Sequence, residues 1–198
     1  MGLNFKYMLY FEKKYIWDAL LGLVQISEQG GPPSIIHFPD HDLHIPFFTT
    51  DCESVEFDHT VEQLCFAISI YFDIDQEIID YISWGGLIEE IRTPPVGKVK
   101  SQVPIGYIDL VVHQVNPYAS TPELALFQFF TTGTHMSLLF ENSISIRNTF
   151  SRLLENYHGV CGILELELSG GDLFWYHGKR MNRIISNAYL PPAQIKFD

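Results

Sequence analysis

Residues 163–176 read ILELELSGGDLFWY, and this stretch indicates an antiparallel β-sheet more clearly than any other part of the chain. Apolar and acidic side chains alternate from Ile163 to Leu168, which is the two-residue period of a strand with one buried face. Gly170-Gly171 then supplies a two-residue turn, and Leu173–Tyr176 continues as a second strand. The stretch therefore predicts a β-hairpin.

The remainder of the second half adds strands and one helix to this hairpin. Ile105–Val115 is an apolar, strand-like run, and we expect Leu124–Phe130 to pair with Met136–Phe140 across a turn at residues 131–134. Apolar residues then recur at helical spacing over residues 142–159, which predicts a second main helix that ends at a glycine.

The first half contains the other main helix. Its residues are mostly apolar, and the polar exceptions predict one narrow stripe exposed to water: Lys14, Asp18, Gly22, Gln25 and Gln29. Around this helix the pattern predicts a strand at Phe5–Phe11, a hairpin at Ser34–Phe48, a strand pair over Val55–Phe72 that turns near Asp58-His59, and a short helix at Asp75–Trp84.

These elements predict an α+β fold in which two main helices pack on an antiparallel sheet, since no regular alternation of strand and helix occurs. We expect an acidic lobe at residues 1–92, a Pro- and Gly-rich connection at 93–104 and a neutral lobe at 105–198; alternatively, the halves form a single domain. Leu9–Glu12 and Leu138–Glu141 would be equivalent strands if the lobes are pseudo-symmetric repeats.

Length and composition narrow the class of protein. The chain has 198 residues, 46% of them hydrophobic and 18% charged, which suits a globular fold. Its three cysteines follow no disulfide or zinc pattern, and the first residues lack the pattern of a signal peptide. No apolar run is long enough to span a membrane. We therefore expect a cytoplasmic protein with no structural metal and no membrane contact.

The excess of negative over positive charge lies in the first half of the chain. Residues 1–92 hold 16 acidic and 4 basic residues, whereas residues 93–198 hold 8 of each, so the net charge of −12 comes from the first half. Between Tyr15 and Ile91 there are 15 acids and neither Lys nor Arg. The negative electrostatic potential of so many acids repels nucleic-acid phosphates and attracts basic proteins.

This distribution predicts a protein–protein recognition module that binds and inhibits a basic partner, as an immunity or antitoxin-type protein acts against a nuclease. No cofactor is required for such a role. The predicted partner-binding residues are the acids that follow the first main helix: Asp40, Asp42, Asp51, Glu53, Glu56, Asp58, Glu62, Asp73, Asp75, Glu77 and Asp80.

An alternative function is a metal-dependent hydrolase or small-ligand enzyme. If Asp40-His41 is the turn of the Ser34–Phe48 hairpin, His37 lies opposite His44, and the pair could bind a divalent metal with Asp40 or Asp42. However, the sequence contains no motif of nucleophilic, phosphate-binding or zinc-dependent catalysis, which favours a binding protein over an enzyme.

Overall fold

The structure of the chain is a computed structural model. It describes residues 5–29, 34–38, 40, 42–46, 48–49, 54–56, 62–86, 101–114, 117–118, 122–166 and 170–196. Within these ranges it confirms an α+β fold built on an antiparallel sheet.

Eleven strands are present in the described ranges. They are β1 (Lys6–Glu12), β2 (Ser34–His37), β3 (Asp42–Ile45), β4 (Phe48–Thr49), β5 (Ser54–Glu56), β6 (Gln63–Asp73), β7 (Gln102–His113), β8 (Leu124–Phe130), β9 (Gly159–Glu165), β10 (Gly171–Tyr176) and β11 (Lys179–Ile185). Eight of them form one sheet in the order β11-β10-β9-β1-β8-β7-β6-β4, with every pair antiparallel. The other three form a small sheet in the order β3-β2-β5.

Strand β1 lies at the centre of the large sheet. It pairs with β8 on one side and β9 on the other, and its residues from Tyr7 to Phe11 are all buried. Both faces of the strand are therefore covered, which explains why the sequence of β1 is continuously apolar and does not alternate.

Four α-helices are described: α1 (Ile16–Ile26), α2 (Gln76–Gly85), α3 (Thr134–Asn142) and α4 (Ile144–Asn156). The predicted main helices are α1 and α4, and both contribute to the larger core cluster together with the inner face of the sheet. Phe150 of α4 is at the centre of this core, with its ring centroid 4.5 Å from that of Tyr7 and 4.6 Å from that of Phe129.

The C-terminal segment covers part of the opposite face of the sheet. Ala188 and Ile195 pack there against Met8 and other buried residues of β1, β8, β9 and β10. Lys6 of β1 helps to hold this segment, because its Nζ lies 2.9 Å from Glu165 Oε2 and donates a hydrogen bond of 3.2 Å to the Tyr189 hydroxyl.

The strand and helix positions predicted from the sequence are largely confirmed. Phe5–Phe11, Ile105–Val115 and Leu124–Phe130 correspond to β1, β7 and β8, and the predicted short helix at Asp75–Trp84 is α2. In α1, Asp18 and Gln25 are exposed as expected. Gly22 is buried, contrary to the prediction, because the ring of Tyr157 packs against it where a Cβ atom would lie.

The prediction of a strand at Met136–Phe140 is wrong, since these residues belong to α3. The buried residues Met136, Leu139 and Phe140 have the i, i+3, i+4 spacing of one helix face, which a short apolar run shares with a buried strand. The repeat that equated Leu138–Glu141 with the strand Leu9–Glu12 therefore does not hold, because the two segments have different secondary structure.

Several strand pairings differ from those predicted. The Val55–Phe72 strand pair is wrong, because β5 pairs in parallel with β2 and β6 pairs with β7 and β4. The turn after β9 is longer than two residues, since Glu165 lies opposite Gly171. Asp58-His59 and residues 30–33 lie outside the described residues.

The division into two lobes stays a prediction. Residues 93–100 of the predicted connection lie outside the described ranges, while residues 102–104, which we assigned to it, belong to β7. The large sheet combines strands from both halves of the sequence, because β1 lies between β8 and β9, and β6 pairs with β7. None of the helices in the described ranges is long and apolar enough to cross a membrane.

Candidate functional site

Helix α2 begins and ends at residues suited to those positions. Asp75 is the N-cap, and its Oδ1 accepts a hydrogen bond of 3.0 Å from the backbone N–H of Ile78. Gly86 ends the helix with a φ of 74°, a left-handed conformation in which a residue with a Cβ atom would be strained. The two ends of the helix are therefore well defined.

Two of the predicted partner-binding acids, Asp75 and Asp73, make hydrogen bonds within the protein in this region. Asp75 Oδ2 accepts hydrogen bonds from Ser143 Oγ at 2.7 Å and from the backbone N–H of Ser145 at 2.9 Å, so one carboxylate caps both α2 and α4. Asp73 accepts hydrogen bonds from Gln102 and Arg152, which together hold the pKa of its carboxyl below the ordinary value.

We expect Asp75→Ala to lower the free energy of unfolding by about 2–3 kcal/mol, because it removes the caps of two helices at once. Chemical denaturation monitored by circular dichroism would measure the loss. Asp80→Ala on the same helix is the matched control, and we expect it to cost less than about 0.5 kcal/mol because Asp80 is exposed. Equal losses in the two variants would contradict the double-cap interpretation.

One face of α2 carries acidic and aromatic residues together. Glu77, Asp80, Tyr81 and Trp84 follow one another at i, i+3, i+4 and i+7, the spacing of a single helix face, while Ile78 and Ile82 on the other side are buried. The side chain of Trp84 is 68% exposed. An aromatic side chain this exposed can contribute much of the binding energy when a partner covers it.

Helix α3 supplies the opposite wall. The ring of His135 stacks on the indole of Trp84, with centroids 3.8 Å apart and an interplanar angle of 26°. The two helices enclose a groove of about 360 Å³, which we call the α2–α3 groove. Its lining residues are Glu77, Asp80, Tyr81, Trp84, His135, Leu138, Leu139 and Asn142.

The α2–α3 groove is acidic. Glu77 and Asp80 are both exposed, and no Lys or Arg is among its lining residues. Asp80 Oδ1 accepts a hydrogen bond of 2.8 Å from Gln76 Nε2, which leaves Oδ2 without a partner among the described residues. The groove therefore combines the exposed indole of Trp84 with two carboxylates, a set of groups that complements a positively charged side chain.

The remaining predicted partner-binding acids are dispersed. Asp40, Asp42 and Glu62 are exposed outside the α2–α3 groove. Glu56 is in β5. Asp51, Glu53 and Asp58 lie outside the described residues.

The predicted opposition of His37 and His44 is wrong. In the β2–β3 hairpin His37 lies opposite Asp42, and His44 lies opposite Ile35, because the turn contains four residues and not two. His37 Nδ1 is 2.8 Å from Asp42 Oδ1. Asp40 is within the turn. Across the described ranges, no three His, Cys, Asp or Glu side chains are placed so that they could hold a metal ion.

A second cavity, of about 270 Å³, has two histidines and two glutamates in its walls: His158, His177, Glu12 and Glu155. Both histidines have positive φ, 57° and 44°. Each conformation has a structural cause, since His158 follows the end of α4 and His177 begins the turn between β10 and β11. The strain is therefore that of a chain reversal and gives no evidence of catalysis.

A third cavity, of about 860 Å³, lies beside β11 and the C-terminal segment. Its lining residues include a single charged side chain, that of Lys196, and no histidine. Strand β11 is at the edge of the sheet, but a β-bulge at residues 181–182 interrupts its ladder, and Lys179, Arg180 and Arg183 give it a positive charge. Bulges and charges of this kind protect sheet edges from unwanted pairing.

Of the residues that line the α2–α3 groove, the sequence-based prediction included Glu77 and Asp80 but not Trp84 or His135. A signal for Trp84 was present, because an aromatic residue continues the acidic face of α2 at i+7. His135 is 51 positions from Trp84, and its segment was assigned to a turn and strand, so nothing local indicated that the two rings would stack.

Comparison of the chain with protein-family models, with curated proteins and with solved structures found no match. Its function must therefore be inferred from the chemistry of its own surface.

Proposed function

We propose that this protein is a recognition module that binds a basic protein partner through the α2–α3 groove. The observation that carries the proposal is the exposed indole of Trp84, flanked on the same helix face by Glu77 and Asp80. Tryptophan is among the residues most often responsible for binding energy at protein interfaces, and carboxylates beside it select a positively charged partner.

The long-range charge of the chain supports the same proposal. Because residues 15–91 contain 15 acids and no Lys or Arg, the field around this part of the protein attracts positively charged molecules before contact. Glu77 and Asp80 belong to that segment and lie on the same helix face as the exposed Trp84, so they add local negative charge at the groove to this long-range attraction. A nucleic acid would be repelled there.

The narrower form of the proposal is inhibition. A basic partner that itself binds phosphate groups, such as a nuclease, would be blocked if the acidic groove occupied its phosphate-binding surface. An immunity or antitoxin-type role of this kind needs neither a metal nor a catalytic residue. It predicts that cleavage of nucleic acid by the partner stops when the two proteins are present in equal amounts.

The charge of the groove is expected to govern the rate of association. We expect Glu77→Gln/Asp80→Asn to slow association with the basic partner roughly threefold to tenfold at low salt, since it removes two negative charges at the contact. Surface plasmon resonance with a partner captured from the native cell extract would measure this rate at low and high ionic strength.

The matched control is Asp109→Asn/Glu155→Gln. It removes the same charge from two exposed acids outside the α2–α3 groove, Asp109 on β7 and Glu155 on α4. We expect a clearly smaller change in the association rate. Association that does not depend on ionic strength, or that responds equally to both double variants, would count decisively against the proposal.

A further inference from the structure

The two faces of the Trp84 indole are in different environments. One face stacks on His135 at a centroid distance of 3.8 Å. The side chain is nevertheless 68% exposed, so the other face is open to solvent. An open indole face is the strongest aromatic site for a cation, because the ring quadrupole places negative charge above its plane.

Two carboxylates precede Trp84 on the same face of α2. Asp80 is four residues before Trp84, about 6 Å along the helix axis, and Glu77 is seven residues before it, about 10.5 Å away. Asp80 is the better oriented of the two, since its hydrogen bond from Gln76 fixes one oxygen and leaves the other unpartnered among the described residues. Along the helix, Asp80 is therefore the nearer of the two carboxylates to a cation on Trp84.

We infer that the α2–α3 groove receives an arginine side chain of the partner, whose guanidinium group stacks on the open face of Trp84 and pairs with Asp80. This inference rests on the proposed function and specifies the residue that anchors the partner. The groove volume of about 360 Å³ is near the lower end of small-ligand sites, which suits one or two inserted side chains.

Arginine fits this arrangement better than lysine. A guanidinium group is planar, so it can stack flat on the indole while its edge N–H groups point sideways to a carboxylate on the same helix face. A lysine ammonium group is compact and strongly hydrated, and it cannot make both contacts in one geometry. The apolar side chain of Leu138, which is 38% exposed, lies in the same groove and can contact the methylene groups of the arginine.

The test uses three capped tripeptides, acetyl-Ala-Xaa-Ala-amide, in which Xaa is arginine, lysine or the neutral isostere citrulline. Each is titrated into the full-length protein to tens of millimolar, and the indole N–H resonances are followed by NMR. The indole N–H of Trp175 is the internal control, because it is buried and donates to the carbonyl oxygen of Gly159 at 3.0 Å.

We expect the arginine peptide to shift the Trp84 resonance with a Kd in the millimolar range and to bind roughly tenfold more tightly than the citrulline peptide, with lysine between them. Asp80→Asn should weaken arginine binding more than Glu77→Gln does. Trp84→Phe, which identifies the resonance, should leave the Trp175 signal unmoved.

Equal shifts with all three peptides would overturn the arginine inference, and so would the absence of any Trp84 shift. Neither result would overturn the proposed function, which depends on the salt-dependent association of a complete basic protein. Conversely, a partner whose association is insensitive to salt would remove the proposed function even if the peptide titration succeeded.

Discussion

Arg147→Met is expected to lower the free energy of unfolding by about 3–5 kcal/mol, because it would leave a buried carboxylate without its counter-charge. Arg147 on α4 donates a hydrogen bond of 2.5 Å to Asp172 Oδ2 on β10, and the side chain of Asp172 is only 10% exposed. The other carboxylate oxygen of Asp172 is buried with no hydrogen-bond partner in the described part of the chain. Urea denaturation of the wild type and the variant would measure the loss.

Arg152→Met is the matched control for this prediction. It makes the same substitution on the same helix, but Arg152 pairs with Asp73 at the surface, where the two side chains are 48% and 44% exposed. We expect it to cost less than about 1 kcal/mol. The double variant Arg147→Met/Asp172→Val should recover at least half of the loss, since no buried charge remains. Equal losses in Arg147→Met and Arg152→Met would contradict the role assigned to burial.

Phe150→Ala is expected to cost about 3–5 kcal/mol, the usual loss when a fully buried aromatic ring is removed. The ring contacts Tyr7 and Phe72 from the first half of the sequence and Phe129 and Phe140 from the second. The substitution should therefore destabilise both halves together. Calorimetry should show one unfolding transition, displaced downward by roughly 6–20 °C.

Phe150→Leu is the control for side-chain volume, and we expect it to cost about 1–2 kcal/mol because Leu fills most of the site. The same measurements decide between the two domain arrangements that the sequence left open. Two transitions, only one of which moves on substitution, would show that the lobes unfold independently. A single transition that moves as a whole would show a single cooperative domain.

The positions of strands and helices could be predicted because they depend on local patterns. Alternation identified the strand that begins after α4, and Asp75 and Gly86 marked the ends of α2. Strand pairing was less predictable, because it depends on contacts between distant residues. The parallel pairing of β5 with β2, for example, has no local signal, since a three-residue strand can add to any open edge.

For the candidate site, the sequence could predict which residues are acidic but not which of them are engaged in contacts within the protein. The acidic segment indicated Glu77 and Asp80, but the sequence could not show that Asp73 and Asp75 are engaged in an ion pair and in helix caps. Gly22 illustrates the same limit in the core, because the ring that covers it belongs to Tyr157, 135 residues later in the chain. In each case the deciding contact joins residues that only the tertiary structure brings together.

The affinity of the basic partner for Trp84→Ala tests the central claim most directly. The matched control is Ile184→Ala on β11, because Ile184 is 72% exposed, comparable with the 68% of Trp84, and lies outside the α2–α3 groove. If the groove is the binding site, Trp84→Ala should raise Kd roughly thirtyfold or more, while Ile184→Ala should leave it unchanged. An unchanged Kd for Trp84→Ala, or an equal rise for both variants, would contradict the account.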